Sequence, residues 1–320
     1  MTAGWVAPST RGRLLLRRRL GSSGARALGS EESWQQARAE LATTVYGASL
    51  PADADRRAAR LSASAATIWQ LRVLAGWLPP NATALARTFA ASLEIAEVDR
   101  HVSRLTRQAG ARATRVGRPD AVSLGSLATA WPRVERATTL DQVRSVLARS
   151  AWGDPGGSDP AAIRFGLRVA WGRRLVRQAA ITTDWVHGAA AVLVARELFL
   201  FGRHIPEIPA RTIDQLLGTR WRHATSVASL ADNVGASASW ALLTDGSSAR
   251  PSPTDLWRSE LVVISRVDED ASRIIESGRN GRNTVAAVMA LLLLDLWRVG
   301  AAIESAGRGP LPQVVFDDMA

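Results

Sequence analysis

Cysteine and lysine are both missing from this sequence of 320 residues. The lack of cysteine excludes a disulfide scaffold and a thiolate metal site, and it fits a protein of the cytosol. The lack of lysine means that all 40 cationic side chains are arginine. We interpret this bias mainly as the result of G/C-rich codons, because alanine, glycine and tryptophan are also frequent. Arginine abundance alone therefore says little about function.

Strand patterns and catalytic motifs are also lacking. No run shows the strong two-residue alternation of β-branched residues that is typical of a sheet. HExxH, CxxC, GxSxG and GxGxxG are absent, and the four histidines lie far apart in the sequence. We therefore predict no catalytic, cofactor-binding or metal-binding residue. An enzyme whose distant residues are brought together by folding remains an open alternative.

Helical periodicity is the strongest positive signal, and it is clearest between Trp69 and Arg107. Pro79 and Pro80 separate two predicted helices there, because proline cannot continue a helix, and Asn81 or Thr83 can cap the second one. Apolar residues then recur at spacings of three and four, which predicts one buried stripe: Ala91, Ile95, Val98, Val102 and Leu105. Glu94, Glu97, His101 and Arg104 form the opposite, polar line.

Two later stretches have the same form, Ile181–Phe199 and Val285–Glu304. Each of the three stretches carries an acid, Glu94, Asp184 or Asp295, and the intervals between these acids are 90 and 111 residues. This spacing indicates an internal repeat of about a hundred residues. The sequence therefore predicts an all-α protein of three similar helical units, 1–110, 111–205 and 206–320, with the three acids in equivalent places.

The tryptophans, one acidic run and one apolar run have simpler interpretations. We predict that Trp69, Trp185 and Trp257 anchor the core, because each lies on an apolar stripe. The run Asp268–Asp270 is expected to be a solvated helix face. Val285–Leu294 is only ten apolar residues long, too short to span a bilayer, so we predict a buried core helix.

The positive charge is concentrated in the first half of the chain. Residues 1–150 carry 22 arginines and 11 acids, whereas residues 151–320 carry 18 of each, so the first half holds the whole net charge of +11. A strongly basic first half suggests that the protein binds an anionic partner. Its most basic segment, Arg11–Leu20, is either a contact for phosphates or an anionic membrane, or a surface helix whose arginine stems cover apolar neighbours. We favour the second interpretation.

The turn Thr44-Val45-Tyr46-Gly47, the segment Leu93–Leu105 and the helices around Asp184 and Asp295 together resemble one known family. The chain is similar to the C-type subunit of V/A-type rotary ATPases, which corresponds to the d-type subunit of eukaryotic complexes, as a divergent actinobacterial-like member. The resemblance is confined to a short, specific motif only in the Thr-Val-Tyr-Gly segment; elsewhere it is spread over longer stretches. Family versions often have asparagine three residues after the acid, whereas this chain has Glu97, His187 and Arg298.

The resemblance implies a funnel-like body of three helical domains with no cofactor and no catalytic role. Such a protein links the central stalk to the membrane proteolipid ring during proton or ion transport and ATP synthesis. Its partners would be the stalk and ring subunits, with no nucleic acid, and it would lie in the cytoplasm, peripheral to the inner face of the membrane. The alternative is a basic helical nucleic-acid-binding or regulatory protein, which the charge of the first half suggests.

Overall fold

The computed structural model describes residues 3–110, 122–242 and 252–308. Three-quarters of this part of the chain is helical and none of it is strand, which confirms the predicted all-α fold. The division into three units and the funnel shape stay predictions. The composition of the sequence predicts a connector at 110–119, a loop at 244–253 and a loose extension after Gly307. Nearly all of these residues lie outside the part of the chain that the structure describes.

The helices are numbered in chain order, and a π-helical turn at Arg196–Leu200 continues the ninth of them. Their bounds are α1 Val6–Leu16, α2 Gly21–Gly29, α3 Trp34–Ala42, α4 Arg56–Gly76, α5 Thr83–Gly110, α6 Trp131–Val134, α7 Leu140–Ala148, α8 Pro160–Gln178, α9 Thr183–Ala195, α10 Glu207–Leu217, α11 Val227–Asn233, α12 Ala236–Ser239, α13 Leu256–Glu276 and α14 Arg282–Ser305.

Several helices begin where local sequence rules predict. Ser33, Asp55, Thr139 and Asp159 each accept a backbone N–H of the first turn of α3, α4, α7 or α8. The predicted break at Pro79-Pro80 is confirmed, since α4 ends at Gly76 and a 3₁₀ turn leads into α5. The sequence also suggests Asp255 as the cap of the helix that carries Trp257; Asp255 ends a 3₁₀ turn directly before α13, and Ser252 caps that turn.

Contacts between Cα atoms divide the chain into two compact units. Unit 1 consists of Met1–Phe89, Asp120–Ser123 and Ile264–Ala320, and unit 2 consists of Ala90–Pro119 and Leu124–Val263. Both boundaries between long segments fall inside continuous helices, α5 and α13.

The core of unit 1 is built around α14, which packs against α1, α2 and α4. The residues from Thr284 to Leu292 are all buried, which confirms the predicted core helix. By length and composition α14 is also apolar enough to cross a membrane, but two-thirds of its most apolar window is buried inside the fold.

The core of unit 2 is built around α9, which packs against α8, α10 and α12. Most of the α9 side chains from Trp185 to Ala195 are buried, as predicted for the Ile181–Phe199 stretch. Trp185 itself is 6% exposed, so its predicted role as a core anchor is confirmed.

The predictions for two other tryptophans are wrong. Trp69 is 50% exposed and Trp257 is 41% exposed. The side chains one position away on the same helices, Ile68 and Leu256, are buried instead. An apolar stripe on a helix identifies its buried face only to within about one residue. Trp77, at the end of α4, is also 53% exposed.

Candidate functional site

The three acids that suggested a repeat fall into two classes. Glu94 and Asp295 are completely buried. Asp184 is exposed in the first turn of α9, where a negative charge suits the helix dipole. The predicted equivalence of the three acids is therefore wrong for Asp184. Because burial of a charged carboxylate is costly unless it is hydrogen-bonded, the partners of the other two acids decide their role.

Asp295, in the middle of α14, caps a different helix. Its Oδ2 accepts the backbone N–H of Leu20 at 2.8 Å, and its Oδ1 accepts that of Gly21 at 2.7 Å. These two residues begin α2, whose first N–H groups have no partner within the helix. The side chain of Leu20 does not offer a cap, so an acid from a helix 274 residues away satisfies these groups.

Tyr46 completes the surroundings of Asp295. Its hydroxyl group donates a hydrogen bond to Asp295 Oδ2, and its side chain is completely buried. Burial raises the pKa of Tyr46 well above its usual range, and the charge of Asp295 and the hydrogen bond to it raise the pKa further. The tyrosine therefore remains a neutral donor in the folded protein.

The turn that carries Tyr46 is held by hydrogen bonds from Thr44 within the turn and from Ser62 outside it. Thr44 Oγ1 donates to the carbonyl of Leu41 at 2.7 Å and accepts the N–H of Tyr46 at 3.2 Å. Ser62 of α4 donates to the Tyr46 carbonyl at 2.7 Å. The next residue is Gly47. A Cβ atom at this position would collide with the backbone of Leu41 and Ala42, so only glycine fits. The Thr-Val-Tyr-Gly segment thus positions one hydroxyl group against the buried acid of α14.

Glu94, on α5, has the same role in unit 2. Its carboxylate accepts the backbone N–H groups of Thr129, Ala130 and Trp131 at 2.6, 2.6 and 2.8 Å, where α6 begins. Trp152 Nε1 donates to it as well, at 3.2 Å. Four donors therefore surround one carboxylate. Each unit thus contains a long helix whose buried acid holds the start of a shorter helix and the polar atom of one aromatic side chain.

Arg174 lies beside the Glu94 site. Its guanidinium group lies 4.9 Å from the centre of the Trp152 ring and donates to Thr129 Oγ1 at 3.3 Å. Burial lowers the pKa of Arg174, whereas the charge of Glu94 raises it. The positive charge of this arginine therefore helps to balance the buried carboxylate.

His101 is one further polar group of α5 that turns inward. Its Nε2 lies 2.9 Å from the carbonyl of Ala137 and donates to it, so Nδ1 is left to accept from Arg104. Burial lowers the pKa of His101, and the nearby charge of Arg104 lowers it further. The imidazole is therefore neutral, and its edge-on contact with Trp131 connects it to the start of α6.

The run Asp268–Asp270 is not simply a solvated face. Asp268 Oδ2 accepts from Arg298 at 3.0 Å, and the Arg298 side chain is only 2% exposed. Asp270 pairs with Arg266 and Arg273 on its own helix. Arg298, three positions after Asp295, is therefore the buried partner of Asp268 in an ion pair within unit 1.

The hydrogen bonds of the two buried acids hold helix starts and aromatic side chains in place. Glu94 accepts four hydrogen bonds and Asp295 accepts three, so most of the acceptor capacity of both carboxylates is already used within the fold. Among the described residues, no group of three or more histidine, aspartate and glutamate side chains could hold a metal ion. Local sequence patterns did not identify Thr129–Trp131 or Trp152 as partners of Glu94, because those residues come close only after folding.

The fold and the site define an all-α protein in which buried carboxylates of long helices cap the starts of shorter ones. A scan against protein-family models gives no match, and a search of curated proteins gives no significant relative.

Proposed function

We propose that this chain is a non-catalytic structural component that couples the central stalk to the membrane ring of a V/A-type rotary ATPase. One observation carries the proposal: the hydrogen bond between Tyr46 and Asp295. Tyr46 belongs to the sharpest segment of the resemblance, and Asp295 belongs to one of its acid-bearing helices. Two segments that carry the resemblance are therefore in direct contact in the fold, although Tyr46 and Asp295 lie 249 residues apart in the sequence.

The type of contact also favours a structural role. A protein that transmits torque needs helices that do not shift against one another. Glu94 and Asp295 each hold a second helix start by charge-assisted hydrogen bonds, which are about twice as strong as neutral ones. The acids thus stiffen each unit.

Partner contacts need exposed anchors, and Trp69 and Trp77 are the candidates. Trp69 lies in α4 and Trp77 directly follows the end of that helix, eight residues later, and each exposes about half of its surface. Tryptophan is enriched among the residues that dominate binding free energy at protein interfaces. We assign these two side chains to the interface with the stalk or ring.

The test is capture of the separately purified stalk and ring subunits by the full chain. Trp69→Ala and Trp77→Ala should each weaken capture on the order of 30-fold, since an interface anchor contributes about 2 kcal/mol or more. The matched controls are Trp257→Ala and Trp297→Ala, which remove similarly exposed tryptophans and should leave capture unchanged. If neither the stalk nor the ring is captured, the proposal fails.

The basic segment provides a second arm of the same experiment. Replacing Arg17, Arg18 and Arg19 by glutamine should weaken capture and reduce its salt dependence if these side chains contact an acidic protein face. Unchanged capture rejects the segment as a protein contact. A gel shift with duplex DNA tests the alternative function, because phosphate-driven binding weakens steeply with salt.

A further inference from the structure

The side of α1 that faces away from the core combines apolar and cationic side chains. Its exposed residues follow one another at helical spacing and continue into the turn after the helix: Val6, Ala7, Thr10, Leu14, Arg17 and Arg18. Val6 and Leu14 are 48% and 46% exposed. Helix α1 is nevertheless firmly attached to unit 1, because Leu15 and Leu16 on the opposite side are buried.

The segment that carries these two aliphatic side chains is strongly basic and contains no acid. Residues 1–30 contain six arginines and no aspartate or glutamate. Arg17 and Arg18 have no carboxylate partner within 4 Å among the residues that the structure describes.

The turn between α13 and α14 adds more positive charge beside α1. Arg13 donates to Asn280 Oδ1 at 2.8 Å and to the carbonyl of Arg279 at 2.5 Å, which holds that turn against the helix. Arg282 lies 6.0 Å from the centre of the Trp5 ring, just before α1. Residues 277–294 also contain no acid. We call the surface formed by Trp5, Val6, Leu14, Arg17, Arg18 and the Arg279–Arg282 turn the α1 face.

We propose that the α1 face is a docking surface for an anionic lipid bilayer. The arginines match lipid phosphate groups in charge, and their planar guanidinium groups suit phosphate oxygens. Val6 and Leu14 would enter the boundary between headgroups and acyl chains, which is the usual position for the apolar side chains of an interfacial helix. Trp5 is the residue type that favours the same depth.

The two exposed aliphatic side chains distinguish a bilayer from nucleic acid. A nucleic-acid backbone offers phosphates but no apolar layer, so Val6 and Leu14 would gain nothing from contact with it. A bilayer offers both. The inference is independent of the proposed ATPase role, because the chain would bind lipid without any other subunit.

The experiment is co-sedimentation of the purified full chain with vesicles. Phosphatidylcholine vesicles with about 30% phosphatidylglycerol should capture the protein, pure phosphatidylcholine vesicles should not, and capture should fall as salt rises. The double variant R17Q/R18Q should lower the partition coefficient on the order of 20-fold, because each cation near an anionic surface contributes about fivefold. Leu14→Gln should lower it about fivefold through the lost apolar contact.

Two matched controls make the result specific to the α1 face. R133Q/R136Q removes two exposed arginines of unit 2 and changes the net charge equally. Ile208→Gln removes an aliphatic side chain that is 46% exposed, also in unit 2. Both controls should bind like the wild type, and circular dichroism should show that every variant is folded.

Three results would overturn the proposal. The first is no capture by anionic vesicles. The second is an equal loss in R17Q/R18Q and R133Q/R136Q, which would mean that only the overall charge matters. The third is full binding by Leu14→Gln together with equally tight binding of duplex DNA, which would identify a general polyanion surface. If the wild-type chain captures ATPase subunits but does not bind anionic vesicles, this inference fails and the proposed function stands.

Discussion

At the residue scale, the two buried acids are the most informative groups in the chain. Glu94 and Asp295 are completely buried, and each accepts backbone N–H groups from the start of another helix. Replacing a carboxylate by an amide keeps the size of the side chain but turns an NH₂ group towards donors. The buried N–H groups would then lack an acceptor, which costs about 1–3 kcal/mol for each group.

Amide variants of the three acids should therefore separate the buried pair from the exposed one. We expect Glu94→Gln and Asp295→Asn to lower the free energy of unfolding by about 2–4 kcal/mol each. Asp184→Asn should lower it by less than about 1 kcal/mol, because Asp184 is exposed and interacts mainly with the helix dipole. Denaturant unfolding at neutral pH measures all three. Similar losses for all three would contradict the assignment.

Tyr46 offers a direct spectroscopic test, because it is the only tyrosine in the chain. Burial beside Asp295 raises its pKa, so the folded protein should show no tyrosinate absorbance near pH 10, where an exposed tyrosine titrates. A raised pKa means that the unfolded state loses its proton first. The contribution of Tyr46 to stability is thus complete below about pH 10 and decreases as pH rises above it.

The variant Tyr46→Phe is the control for that titration. It lacks the hydroxyl group, so the tyrosinate signal disappears, and the fall in stability above about pH 10 becomes shallower. The variant should also be less stable at neutral pH by about 1–2 kcal/mol, because Asp295 loses one donor. A normal titration of folded wild-type protein near pH 10 would show that Tyr46 is not buried against Asp295.

At the element scale, close approach between helices and their neighbours depends on a few glycines. Gly166 of α8 faces the loop before it, and a Cβ atom there would lie 2.6 Å from Pro155 Cα and 2.8 Å from its carbonyl oxygen. These are backbone atoms, which cannot move aside as the end of a side chain can. Gly300 of α14 is the opposite case, because a Cβ atom there would meet nothing within 4 Å.

The same substitution at these two glycines should have opposite effects. Gly166→Ala should lower the free energy of unfolding by about 2 kcal/mol or more, because α8 must move away from Pro155. Gly300→Ala should raise it by up to about 1 kcal/mol, since alanine has the higher helix propensity. Thermal unfolding of both variants gives the comparison. Stabilisation by Gly166→Ala would contradict the packing of α8 against its preceding loop.

At the scale of the whole molecule, helix dominates the fold, because three-quarters of the described residues are helical. We expect far-ultraviolet circular dichroism of the full chain to show an α-helical spectrum with no measurable sheet. The spectrum should keep its shape at high salt, since α14 and α9 are stabilised by buried apolar surface rather than by surface ion pairs. A substantial sheet fraction would contradict the fold.

Local sequence rules were sufficient for the helices themselves. The break at Pro79-Pro80, the start of α3 at Ser33 and the buried stretch Thr284–Leu292 all depend on residues that are near one another in sequence. Proline geometry, side-chain capping and apolar periodicity act over a few residues, so they are visible before folding. The all-α fold and the buried character of α14 were therefore predictable from the sequence alone.

Only the tertiary structure decided which polar and aromatic side chains face inward. Glu94 meets its backbone partners about 35 residues away, and Asp295 meets its own about 275 residues away. Asp184 also starts an apolar helical stretch, but it is exposed and meets no such partner among the residues that the structure describes. Trp69 lies one residue from the buried Ile68. Whether a buried carboxylate is tolerated depends on donors that the rest of the fold brings to it, and no local pattern contains that information.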